Sequence, residues 1–109
     1  MMNGSMDIEK AALGAVPVKS ELISFTQIIE LTGVHPSRLG ELIDFGFVSP
    51  ATTHEGALLF RARDVYRLRR LERLARDFEL PLHGVGIIVE LLERIEGLEI
   101  KLRELERLR

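Results

Sequence analysis

The amino-acid sequence predicts a mainly α-helical protein: a winged helix-turn-helix with a small β-hairpin wing, followed by a long C-terminal helix of coiled-coil character. Three observations carry this reading. Two short amphipathic segments, 24–33 and 36–46, each end in a glycine and are separated by a tight turn. Two apolar stretches, Phe47-Val48 and Ala57-Leu58-Leu59-Phe60, flank the turn signal His54-Glu55-Gly56. Leucines and isoleucines then recur in steps of three and four toward the C-terminus.

Taken in order, residues 1–20 show no apolar periodicity and read as a flexible N-terminal tail, with Ala15-Val16-Pro17-Val18 as an edge strand at its end. A head over residues 21–82 follows. Ser24 is a good N-cap, and Gln27 three residues on completes a capping box. Ile28, Ile29 and Leu31 supply the apolar positions of the first helix, and Gly33 can take the positive φ that stops it. Pro36, with its φ already fixed, suits the start of the second helix. Leu39, Leu42 and Ile43 share one face of that helix before Gly46 ends it. Phe47-Val48 and 57–60 are then the two strands of the wing.

Asp64 sits where a helix N-terminus favours an acid, and Val65, Leu68, Leu71, Ala75 and Phe78 give the next helix one apolar face. Pro81 breaks that helix at Glu79–Leu80. A packing and dimerisation helix is expected over residues 83–109, starting at His83 or Gly84. Ile88, Leu91, Ile95, Leu98, Leu102 and Leu105 form its heptad stripe, with Val89 and Leu92 widening it toward the head. Leaving Leu98, Leu102 and Leu105 in water would cost roughly 1.5–3 kcal/mol each. The stripe therefore predicts a homodimer through Ile95, Leu98, Leu102 and Leu105, against the alternative that it packs within one chain. Arg94 opposite Glu99 and Lys101 opposite Glu106 would suit a parallel pair, but exposed pairs are worth only about 0.2–1 kcal/mol, so the orientation, parallel or antiparallel, stays open.

Composition sets the bounds. A chain of 109 residues, 46% apolar and 29% charged, suffices for one modest core. It has no cysteine, which excludes disulfides and thiolate metal sites. No apolar run is long enough to cross a bilayer and no basic-then-apolar leader is visible, so a cytoplasmic protein without membrane association is expected. The net charge of −2 hides an uneven distribution. Residues 21–60 set five acids against Arg38 alone, a net −4. Residues 61–79 set seven arginines against four acids, a net +3.

The order of these elements resembles the MerR-like fold. More closely, the chain is similar to the chaperone-modulator family typified by CbpM. The residues that carry the likeness are Phe60, the run Val65-Tyr66-Arg67-Leu68-Arg69-Arg70-Leu71, the run from Asp77 through Pro81 to Ile87, and Val89-Glu90-Leu91-Leu92-Glu93-Arg94-Ile95 with the charged leucine helix behind it. The resemblance spans roughly residues 20–109. It implies that the chain binds the J-domain of a DnaJ-type, CbpA-like co-chaperone and restrains that co-chaperone's activity.

The alternative is a MerR-like DNA-binding transcriptional regulator. A DNA reader needs side chains that reach bases and phosphates. MerR-type regulators carry an Arg and aromatics on the second helix, where this chain has Gly40-Glu41-Leu42-Ile43-Asp44, and the wing tip is Ala57-Leu58. Glu41 and Asp44 lie three apart and share a face, where they would repel phosphates and suit a basic protein surface. Glu41 and Asp44, together with Glu30, are therefore the candidate partner-binding residues, and sequence-specific nucleic-acid binding is not expected. The arginine helix offers Arg63, Arg67, Arg70 and Arg73 as a phosphate stripe, or else intrahelical pairs such as Arg69–Glu72 and Arg73–Asp77. An enzyme is the weakest class. His35, His54 and His83 follow no metal-ligand spacing and the glycines form no phosphate loop, so no catalytic residue, metal or cofactor is assigned.

Overall fold

The computed structural model describes residues 21–109. The expected N-terminal tail and the strand at Ala15–Val18 lie outside them. The elements run β1 (Ile23–Ser24), α1 (Phe25–Thr32), α2 (Pro36–Phe45), β2 (Ala51–Thr52), β3 (Leu58–Phe60), α3 (Ala62–Phe78) and α4 (Leu82–Arg107). The protein is mainly helical, with one small antiparallel sheet, as the sequence predicts.

Local chemistry explains the helix-turn-helix. The Ser24 hydroxyl accepts from the Gln27 N–H at 3.1 Å, and the Ser24 N–H donates to Gln27 Oε1 at 2.9 Å, a complete capping box. Gly33 (φ 75°) ends α1, and its N–H donates to the Ile29 carbonyl. Pro36 opens α2. Gly46 (φ 84°) ends α2 in a Schellman motif, with the Phe47 N–H on the Leu42 carbonyl and the Gly46 N–H on Ile43.

The wing differs from expectation. Phe47-Val48 is not a strand: both side chains are buried in the core, and the strand begins later, at Ala51. Two consecutive side chains both directed inward cannot follow the alternation of a strand with one exposed face. The sheet also has a third member that the sequence pattern does not announce. The central strand β3 pairs with β2 through Ala51↔Leu59 and Thr52↔Leu58, and with β1 through Ile23↔Phe60 and Ser24↔Leu59. The wing is thus stitched to the residue that caps α1. Gly56 (φ 87°) makes the turn between β2 and β3.

The core gathers Ile28, Val34, Leu39, Leu42, Phe47, Val48, Phe60, Leu68, Leu71, Ala75, Val85 and Val89. Asp64 is buried too, and its Oδ2 accepts from the Arg61 N–H at 2.9 Å, which satisfies one of the free donors at the start of α3. Phe78 departs from the expected apolar face and is 65% exposed at the end of α3, although Ala75 three residues earlier is buried. Glu79 follows in the left-handed conformation (φ 52°), and Pro81 serves as N-cap of α4, which begins at Leu82, a residue earlier than predicted.

Only the first half of α4 packs on the head, through Val85, Gly86 and Val89. The predicted heptad stripe lies on another side of the helix. Ile88, Leu91, Ile95, Leu98, Leu102 and Leu105 are all exposed, Leu98 at 56%. Ile88, at 38%, is the most sheltered of the six, but from Leu91 onward each is at least half exposed, so the intramolecular alternative does not hold for that part of the stripe among the described residues.

Candidate functional site

The acidic surface is built on α2. Leu39 and Leu42 are fully buried and Ile43 packs on the core, which fixes the rotation of the helix. Glu41 and Asp44 are thereby turned outward, and both are exposed. Neither takes part in an ion pair among the described residues. Glu30, on α1, is also exposed and unpaired among them. Arg38, the single base between residues 21 and 60, is engaged elsewhere, with its Nε donating to Glu72 Oε2 of α3 at 2.7 Å. The acidic character of the α2 face is therefore left uncompensated by its own helix.

The arginine helix is spent internally. Arg67, only 16% exposed along its side chain, reaches across to α4 and holds Glu93 through both Nε (2.6 Å) and Nη2 (3.1 Å). Its Nη1 donates to the Phe47 carbonyl, and its guanidinium lies 4.1 Å from the centre of the Phe47 ring. Arg70 grips Glu96 through two further bonds, at 2.7 and 3.2 Å. That pairing holds the Glu96 carboxyl below the usual carboxylate range and raises Arg70. Arg69 donates twice to the Leu31 carbonyl near the end of α1.

Two expectations from the sequence are corrected by this geometry. The intrahelical pairs Arg69–Glu72 and Arg73–Asp77 do not form; Glu72 goes to Arg38 instead. A continuous phosphate stripe from Arg63 to Arg73 does not exist either, because Arg67 and Arg70 face α4. Spacing within one helix reveals only partners on that helix, whereas these carboxylates come from 26 or more residues away. Arg61 and Arg63 at the start of α3 remain exposed.

The histidines are placed by packing. His35 caps α2, its Nδ1 accepting from the Ser37 N–H at 3.1 Å. His54 is exposed in the wing turn. His83 stacks on Phe45, with ring centres 4.2 Å apart and planes 18° from parallel. Sequence reasoning missed this stack and the exposed Phe45 in it; the signal available was an aromatic as the last residue of α2, off the Leu39–Leu42 face. Among the described residues no three His, Asp or Glu side chains converge as metal ligands, and no helix is long and apolar enough to cross a membrane.

Comparison with known proteins agrees with this architecture. The family described as MerR HTH family regulatory protein matches residues 23–107. The chain is also 33% identical over 76 residues to a Streptomyces coelicolor protein named as heat shock protein HspR. That match takes in 70% of this chain and 50% of the other, so the chain spans about half the length of the curated relative it matches.

Proposed function

The chain belongs to the family of MerR HTH regulatory proteins, and from that premise we propose that it is a chaperone modulator, which binds the J-domain of a DnaJ-type co-chaperone and restrains it. One observation carries the reading: the second helix of the helix-turn-helix presents Glu41 and Asp44 outward while its lone arginine is tied to Glu72. A helix that offers two unpaired carboxylates repels a phosphate backbone and attracts a basic protein surface. A heat-shock name on a relative fits a chaperone setting. The resemblance to the CbpM-type family points the same way. The exposed stripe Ile95, Leu98, Leu102 and Leu105 supports a homodimer as the working form.

The test is Glu41→Lys combined with Asp44→Lys. Because Leu39 and Leu42 hold α2 from below, circular dichroism and melting are expected to stay near the parent's. J-domain binding is expected to weaken strongly, with a lower, salt-dependent association rate. Undiminished J-domain binding by the folded double variant overturns the assignment of this surface.

A second reading, a DNA-binding regulator, draws on the intact helix-turn-helix and on Arg61 and Arg63 exposed beside the wing. It predicts a sequence-selective duplex footprint that persists at moderate salt. The chaperone reading predicts only weak binding that salt abolishes.

A further inference from the structure

The strongest unassigned feature lies where the end of α2 meets the start of α4. Phe45, the last residue of α2, is 44% exposed although it is a large aromatic. One face of its ring lies flat against His83. Ile87, one turn beyond His83, is half exposed, and with Phe47 and Gly86 these residues line a shallow hollow of about 40 Å³. A hollow of this size admits the tip of one side chain and no cofactor, which would need several hundred Å³. Acids bracket the apolar floor on both helices. Glu41 stands one turn before Phe45, Asp44 adjoins it, and Glu90 stands one turn after Ile87 on the rim of the hollow. Arg38 is engaged by Glu72 and Arg67 by Glu93, whereas Arg94, exposed and four residues past Glu90, takes part in no ion pair among the described residues. Arg94, a turn past Glu90, marks where the acidic rim ends.

Resting on the J-domain reading above, we propose that Phe45, His83 and Ile87 are the floor, and Glu41, Asp44 and Glu90 the rim, of a seat for one basic amphipathic helix of the partner. Charge complementarity selects the occupant: three carboxylates around an apolar strip match a helix whose apolar stripe is flanked by lysines or arginines. The division of labour follows from the chemistry. The exposed carboxylates steer and orient the incoming helix, which sets the association rate. The desolvated Phe45 and Ile87 hold it once docked, which sets the dissociation rate. A surface of acids alone would have no reason to leave these two apolar side chains beside it in water.

The experiment measures association and dissociation of the full chain against an isolated J-domain, and against a designed helical peptide with a leucine stripe flanked by lysines. The variants are Phe45→Ser, Ile87→Ser and Glu90→Lys, each checked for folding by thermal melting. The two apolar variants are expected to dissociate about tenfold faster with nearly unchanged association. Glu90→Lys is expected to slow association several-fold in a salt-dependent way. If Glu41→Lys with Asp44→Lys abolishes J-domain binding while both apolar variants dissociate like the parent, the seat is overturned and the J-domain reading stands. If the peptide binds in a Phe45-dependent manner and the J-domain does not bind at all, the seat stands and the J-domain reading falls. Binding of neither probe overturns the seat. So does a change in sedimentation caused by Phe45→Ser, which would make a second copy of the chain the occupant.

Discussion

The first half of α4, from Leu82 to Glu93, and the second half, from Arg94 to Arg107, share one unbroken backbone and have opposite surroundings. The first half sinks Val85, Gly86 and Val89 into the head and is clamped by Arg67 on Glu93. In the second half every residue is exposed, and among the described residues only Glu96 is tied down by an ion pair, with Arg70. The first half has the wider apolar surface, but the heptad stripe runs through both halves and is exposed in both, so hydrophobicity alone does not decide which face is covered. What decides is phase. The residues at 85, 86 and 89 point at the head, whereas the heptad that starts at Ile88 points elsewhere and continues past the end of the head. A helix can thus serve one core with one face and keep another face free for a different chain.

Substitutions in the two halves are expected to separate these roles, and the largest contrast is a charge placed in each. Val85→Asp buries an unpaired carboxylate in the core that holds Phe47, Leu71 and Val89. It is expected to cost several kcal/mol and unfold much of the head in a urea or thermal melt. Ile95→Asp, ten residues on, is expected to change the stability of the monomeric head by no more than about 0.5 kcal/mol. Next in size is the loss of self-association. The parent is expected to sediment as a dimer at micromolar concentration, and Leu98→Asp with Leu102→Asp to sediment as a folded monomer. A parent that sediments as a monomer, unchanged by the pair of substitutions, would leave the exposed stripe without this role.

The clamp itself is the third target. Arg67→Met keeps an apolar side chain over the Phe47 ring but strips the Phe47 carbonyl and Glu93 of their donor, and about 1–3 kcal/mol of stability is expected to be lost. Hydrogen exchange is expected to rise first around Glu93, where the lost clamp held α4. The smallest effect concerns Arg70 and Glu96. Because Arg70 holds the Glu96 carboxyl below its ordinary range, the pair's contribution is complete above the unfolded carboxylate pKa and is lost as pH falls through the lowered folded value. Glu96 is half exposed at the surface, so melting is a poor readout; side-chain NMR titration is expected to show Arg70→Gln returning Glu96 upward toward the usual range.

The same contrast explains what the sequence could and could not reveal. Features governed by a few neighbouring residues were legible: the Ser24–Gln27 box, the left-handed stops at Gly33 and Gly46, and Pro36 at the start of α2. The heptad was legible as a period, but a period does not state what faces it, and the covered stripe of α4 proved to be a different one. The two-residue strand β1 was invisible, because Ile23-Ser24 carries no alternation long enough to read and exists only by pairing with Leu59 and Phe60. Phe47-Val48 looked like a strand because apolar pairs suit one, whereas the helix stop at Gly46 sends both inward. Helical spacing offers the arginines of α3 only neighbours three and four residues away, whereas the partners of Arg67 and Arg70 lie across the fold on α4. For the acidic surface, outward placement of Glu41 and Asp44 followed from the Leu39–Leu42 face; the aromatic stack beside them did not, since Phe45 and His83 are 38 residues apart in the chain.

Glu79 gives α4 the properties of a pointer. One non-glycine residue in the left-handed region, with a proline two residues on, sets the angle at which a rod of 26 residues leaves the head. At 1.5 Å per residue that rod is about 39 Å long. A tilt of only about 5° at its base would sweep the tip through about 3 Å. The clips at Glu93 and Glu96 are what hold the pointer steady. An event at the junction of α2 and α4, too slight to see in the head itself, would therefore be reported as a measurable displacement at Arg107, where a spectroscopic label lies clear of every contact described above.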